Sequence, residues 1–287
     1  MNIITYENFK PENLVLSVEN KKYLYTNETY QFKKIMIKYI YDNGKEDDVY
    51  VHIPEVHSFG IKTFDNNDQQ LPSHSFSFCM NVKPSLEDSI DDQLAKEMTD
   101  GTIKIFDDIH KSIKQFLKLD HVIKKLGKSS NKGWAGIVEN LKSFMSVQID
   151  KETEEPIEGS SPTLFVKLKM ENTKTNPAIK TVFKQYNNET GDLDEIPANI
   201  VAEKYQGCRC TATGVIHVES IFIPKMNNIS VQFKLYEVLI TEILKTNVNR
   251  LVIPKRLQKI NKMYESDDED EKFMSFVESE TKEVSRV

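Results

Sequence analysis

The chain has 287 residues, of which 39% are hydrophobic and 29% charged, with a formal net charge of −6. That length supports one large or two modest domains around a sizeable core, and the polarity reads as a soluble folded protein. No run of about 18 apolar residues occurs, which excludes a helical membrane span, and the start "MNIITYENFKPENL" has no secretory pattern.

The charge is unevenly placed. Residues 264–287 hold nine acids against three bases, a net −6, so residues 1–263 sum to zero. Within that neutral body, residues 164–186 carry Lys167, Lys169, Lys174, Lys180 and Lys184 against Glu171 alone. Such asymmetry says more about partners than the isoelectric point does. Three cysteines, Cys79, Cys208 and Cys210, give no disulfide framework and suit a reducing compartment.

In chain order, residues 21–82 read as β-structure. "YQFKKIMIKYIY" (30–41) and "DVYVHIPEV" (48–56) flank an Asn43-Gly44 turn, and "FGIKTF" and "SFSFCMNV" are further short strands. The acidic segment 85–101 is expected to be helical, with Ser85 and Asp88 spaced as a capping box. Residues 102–126 predict one amphipathic helix, with Ile103, Phe106, Ile109, Ile113, Phe116, Leu117 and Ile123 near helical spacing and Gly127 as its stop. Its lysine face, Lys104 to Lys125, reads most simply as a solvated surface.

From residue 137 the β-pattern returns in five runs, 144–150, 163–170, 179–186, 208–223 and 229–240, as an antiparallel sheet or small barrel requires. The linkers 150–162 and 187–207 are long enough to be functional loops. Residues 264–287 are too acidic and too poor in apolar residues to build a core, so they are expected to be disordered.

No enzyme signature stands out. "LGKSSNKG" fails as a phosphate-binding loop, because Val122 occupies the position of its first glycine and a helix precedes it. Cys208 and Cys210 share one side of a strand, but two ligands make no zinc site, so small core positions are expected. No cofactor and no metal are expected.

The strands of the second half share one pattern. In "TLFVKLKM", Leu164, Val166 and Leu168 lie on one face, with Phe165, Lys167 and Lys169 on the other. Lys180, Lys184 and Tyr186 share a face of the next strand, Arg209 and His217 one of the fourth, and Lys234 and Tyr236 one of the fifth. Rings interleaved with cations suit a flexible nucleic-acid strand, whose bases stack while lysines track phosphates. Duplex hides its base faces and gains only the phosphate interaction. The competing reading is a half-exposed sheet decorated with Lys and Tyr, where β-propensity favours tyrosine anyway.

Within residues 208–240, Val218 to Ile223 end one strand in "IFI", and Ser230 to Glu237 form "SVQFKLYE". This segment resembles the C-terminal β-segment of single-stranded DNA-binding proteins of large nucleocytoplasmic DNA viruses, and "SPTLFVKLKM" resembles the strand before it. The similarity covers roughly residues 137–240 and departs at Pro224 and "KMNN", where a tighter glycine-containing turn is expected. It implies an OB-like core with an acidic C-terminus, located at a viral replication site in the host cytoplasm.

The expectation is therefore an α+β protein. Residues 1–126 form a β-rich region plus helix, 127–263 an OB-like antiparallel β-barrel, and 264–287 a disordered acidic tail. Its function is non-catalytic, largely sequence-independent single-stranded DNA binding in viral replication, recombination or repair. Lys167, Lys169, Lys180, Lys184, Arg209 and Lys234 would neutralise phosphates, and Trp134, Phe165, Tyr186 and Tyr236 would stack bases. Partners would be single-stranded DNA, with RNA as an alternative, replication proteins through the acidic tail, and further copies of the chain. The rival is a viral structural or protein-interaction component without nucleic-acid binding.

Overall fold

Alternation of apolar and polar residues sets the strands of the sheet. In Glu46–Ser58 (β3), Val49, Val51 and Ile53 are fully buried while Tyr50 and His52 face the other way. The computed structural model describes residues 1–25, 28–64, 73–80, 90–128, 132–150, 153, 155, 157, 160–171, 178–187, 191–223 and 229–244. The expected capping box at Ser85 and the acidic tail lie outside them. Residues 1–244 form one compact unit.

Before β3 run Leu14–Tyr25 (β1) and Glu28–Ile40 (β2), and after it Ile61–Phe64 (β4) and Ser73–Cys79 (β5). The helices Ile90–Leu117 (α1), Asp120–Lys125 (α2) and Lys132–Glu139 (α3) follow. Then come Met145–Ser146 (β6), Thr163–Leu168 (β7), Val182–Tyr186 (β8), Leu193–Ile196 (β9), Ala198–Tyr205 (α4), Cys210–Ile223 (β10) and Ser230–Ile243 (β11). Among the described residues no helix is long and apolar enough to cross a membrane.

The expected hairpin around Asn43-Gly44 forms, with Gly44 at φ 73° in the turn, but β2 and β3 pair only from Lys38↔Asp48 to Ile40↔Glu46. Beyond that point the two strands part and β10 enters between them. Its Val218 pairs with Val49 of β3, and its Ser220 with Met36 of β2.

All strands of the described residues belong to one sheet, which closes in a ring: β3 pairs β5, β5 pairs β7, β7 pairs β11, β11 pairs β10, and β10 pairs β3. The molecule is thus mixed α+β and compatible with an OB-like fold. Two differences from expectation follow. The ring takes β3 and β5 from residues 1–126 instead of lying within the second half, because the long β10 finds its partner in β3. Nor is it wholly antiparallel, since β11 runs parallel to both β7 and β8.

The single helix expected over 102–126 starts earlier, at Ile90, and breaks at Leu119, whose backbone is extended. After Leu117 comes the exposed Leu119, and the next apolar residues are Val122 and Ile123, five and six positions on from Leu117. A continuous helix would turn them off the buried stripe, whereas the break lets Leu117, Val122 and Ile123 all enter the core. Gly127 ends α2 at φ 68°, as expected. The linker 187–207 holds β9 and α4.

Candidate nucleic-acid interface

The alternation of β7 is as its sequence dictates. Leu164, Val166 and Leu168 are buried, Lys167 and Lys169 are exposed, and Phe165 is 42% exposed. Sheet register then assembles the outer face. Tyr50 of β3 pairs with His217 of β10, His217 with Lys234 of β11, Lys234 with Lys167 of β7, and Lys167 with Ser75 of β5. One row therefore crosses five strands with an aromatic ring, an imidazole and two ammonium groups side by side.

Contacts around this row make it continuous. The Lys169 ammonium sits 5.7 Å from the Tyr236 ring centroid. Tyr236 meets Tyr50 edge to face at 5.3 Å, and Tyr50 stacks on His217 at 4.8 Å. Tyr236 is the extra residue of a β-bulge, since Val215 pairs with Glu237 and Ile216 with Leu235. Bulges re-aim side chains in this way. The strip stops at β5, whose Ser75 and Ser77 are buried. Toward the start of β11 it opens on a groove of about 790 Å³ lined by Phe165, Phe144, Phe233 and Lys142.

Charge on the strip is graded by pairing. Glu219, the extra residue of a second bulge, accepts hydrogen bonds from Lys34 at 2.6 Å and is 2.7 Å from the Lys234 ammonium. Burial alone would raise its pKa, yet the two ammonium groups overcome this and hold the carboxyl at about 2. Lys167 and Lys169 have no carboxylate partner among the described residues. Burial lowers the His217 pKa, opposed by Asp48 and Glu219 and reinforced by Lys169 and Lys234. Its Nε2 lies 3.8 Å from Asp48, too far for a hydrogen bond.

Of the residues expected to bind, the fold brings Phe165, Lys167, Lys169, Lys234 and Tyr236 together. Lys180 and Lys184 are instead ion-paired, to Glu171 at 2.9 Å and Glu237 at 2.8 Å. Tyr186 is exposed at the β8–β9 edge, opposite Leu193. Arg209 stands eight residues upstream of His217 and lies 5.8 Å from the Phe59 ring centroid. Trp134 is a correction. It is only 4% exposed and its indole N–H donates to the Leu117 carbonyl at 3.0 Å, so its ring is part of the core.

Tyr50, His217 and Lys34 join the strip without having been singled out for binding. The polar phase of Tyr50 between Val49 and Val51 was visible in the sequence, but its cross-strand partners were not. Cys210 is fully buried, and burial pushes its thiol up to about 12, so it is a core residue with no thiolate chemistry near neutral pH.

The arrangement defines an α+β protein with a ring-closed sheet whose cations and rings share an open outer face. The chain belongs to the family described as "Protein of unknown function (DUF2738)", whose profile spans residues 17–274. No curated protein matches it. Among solved structures, the "Single-stranded DNA-binding protein from bacteriophage Enc34" is similar at 15% identity, over 77% of this chain and 93% of that one. The TM-score is 0.35, which carries no argument about function.

Proposed function

We propose that the protein binds single-stranded DNA without catalysis and with little sequence preference, on the outer face of β3, β10, β11 and β7. The observation that carries this reading is the row Tyr50–His217–Lys234–Lys167, flanked by Phe165, Lys169 and Tyr236. It offers rings for bases, whose stacking is worth roughly 1–3 kcal/mol each, and, for phosphates, the ammonium groups of Lys167 and Lys169, which have no carboxylate partner among the described residues.

The fold supports the same reading. Numbered in chain order, the ring strands β3, β5, β7, β10 and β11 are adjacent as 1-2-3-5-4-1, with the third and fifth parallel. We take this ring to be an OB-type barrel, an architecture whose third strand helps form the oligonucleotide face. Here that strand is β7, which carries Phe165, Lys167 and Lys169. The resemblance of residues 137–240 to single-stranded DNA-binding proteins of large nucleocytoplasmic DNA viruses supports a role in viral replication, recombination or repair.

The test is fluorescence anisotropy with labelled oligo-dT and a duplex of equal length across a salt series. Tighter binding of the single strand, falling with salt as counterions are released, is the expected result. Equal binding of both forms, or none at low salt, overturns the reading and favours a protein-interaction role.

A further inference from the structure

At the far end of β10 from the strip, Arg209 lies against a cavity of about 270 Å³ lined also by His57, Phe59, Gln148 and Thr163. Its volume is just under the roughly 300 Å³ at which small-molecule pockets begin, so one small ligand group fits it. Three features give it a chemical preference. Arg209, the one arginine among the described residues, has no carboxylate partner there. A planar fork of N–H donors left unpaired is suited to two oxygens of a phosphate. Next, the Phe59 ring beside it is 49% exposed, leaving apolar surface on which a base can stack. Finally, His57 Nδ1 is buried with no hydrogen-bond partner, a polar group whose desolvation a bound ligand would offset.

We propose that this cavity holds one nucleoside phosphate, with the phosphate on Arg209 and the base against Phe59. The proposal rests on the single-strand reading for its natural ligand, a nucleotide of the bound strand. Arg209 has the same outward phase as His217, and Thr211 of β10 pairs with His57 as His217 pairs with Tyr50. The eight residue steps from Arg209 to His217 span about 26 Å. A strand of the roughly 4–16 nucleotides an OB fold accommodates can occupy both ends. The cavity is then a second subsite that sets the length of strand engaged.

The test uses the full chain, its Arg209→Ala and Phe59→Ala variants, and oligo-dT of about 4 and about 16 nucleotides. Each variant should weaken the long strand about 5- to 150-fold and leave the short one unchanged. Equal loss on both lengths, or no loss on either, overturns the second subsite. Calorimetry with thymidine monophosphate separates the sources. Arg209-dependent monophosphate binding by a chain that binds no oligonucleotide would keep the pocket and remove the single-strand reading. Variants that bind both ligands like the parent would remove the pocket and keep that reading. Both exchanged side chains are exposed, and matching thermal melts confirm that folding is intact.

Discussion

The Lys169 ammonium lies 5.7 Å from the centroid of the Tyr236 ring, which places a cation of β7 on an aromatic face of β11. Charge and stacking are therefore joined at one point of the strip and separable elsewhere on it. Tyr236→Ala should weaken oligo-dT binding by roughly 1–3 kcal/mol with little change in salt slope. Lys167→Ala, which removes an unpaired cation, should lower the slope by about 0.7. The Lys169→Ala/Tyr236→Ala double variant should depart from additivity by about 0.5–1 kcal/mol. Variants that bind like the parent with unchanged slopes would place the strand on another surface.

On the proposed binding face, Glu219 should act against binding and for stability. It neutralises Lys34 and Lys234 inside the strip, so Glu219→Gln should release both ammonium groups for phosphate. Oligo-dT affinity should rise, most at low salt where attraction is least screened. The same change leaves two half-buried cations without their carboxylate and should cost about 1–3 kcal/mol of folding stability. A variant that is destabilised yet binds no more tightly would show that Lys34 and Lys234 do not face the strand.

Much of this site was legible as alternation. The faces of β7 and of 48–53 follow from a period of two, which breaks where Ile53 and Pro54 are both buried, and the turn at Asn43-Gly44 follows from its residue types. The ring was not legible, because no local pattern tells β10 to enter between β2 and β3. Its partners Val49 and Met36 lie about 170 and 184 residues upstream of Val218 and Ser220. The ion pairs that neutralise Lys180 and Lys184 were hidden for the same reason. Glu171 is near in sequence but faces Lys180 only after the chain reverses, and Glu237 is on another strand.

Trp134 shows where side-chain type misleads. A tryptophan beside a glycine- and lysine-rich segment reads as a stacking ring, yet its N–H is satisfied by a carbonyl at the end of α1. Trp134→Phe should leave oligo-dT affinity unchanged and cost about 1 kcal/mol in urea unfolding, through the lost hydrogen bond. Weaker binding at unchanged stability would restore it to the interface.

Two glycines with similar backbone angles should respond differently to a methyl group. A Cβ at Gly60, φ 68°, would overlap the Tyr205 carbonyl oxygen, whereas one at Gly44, φ 73°, meets nothing within 4 Å. Gly44→Ala should cost about 1–2 kcal/mol for the left-handed backbone alone. Gly60→Ala must also displace backbone and should cost clearly more. Equal midpoints in chemical denaturation would mean that the turn after β3 yields without resistance.

Acid should weaken the fold through its histidines before its carboxylates. Burial lowers the pKa of His52, His74 and His217. For His52 the hydrogen bonds set the tautomer of the neutral ring: the Thr213 hydroxyl donates to the Ile53 carbonyl, so its oxygen accepts from His52 Nε2–H at 3.1 Å. Neutral in the fold, these rings take up protons near pH 6.5 only when the chain unfolds. Stability is therefore full above that pH and falls as pH drops from about 6.5 toward the lowered folded values. Each such proton contributes a slope of up to about 1.4 kcal/mol per pH unit. Glu219 does not interfere, because its depressed pKa of about 2 confines its loss of stabilisation to pH below the ordinary glutamate value of 4.5. Urea unfolding between those limits should thus show stability declining with acid, and His217→Gln should flatten the decline by up to one proton. An unchanged slope in that variant would mean that Asp48, 3.8 Å away, outweighs burial and that His217 is already charged on the strip.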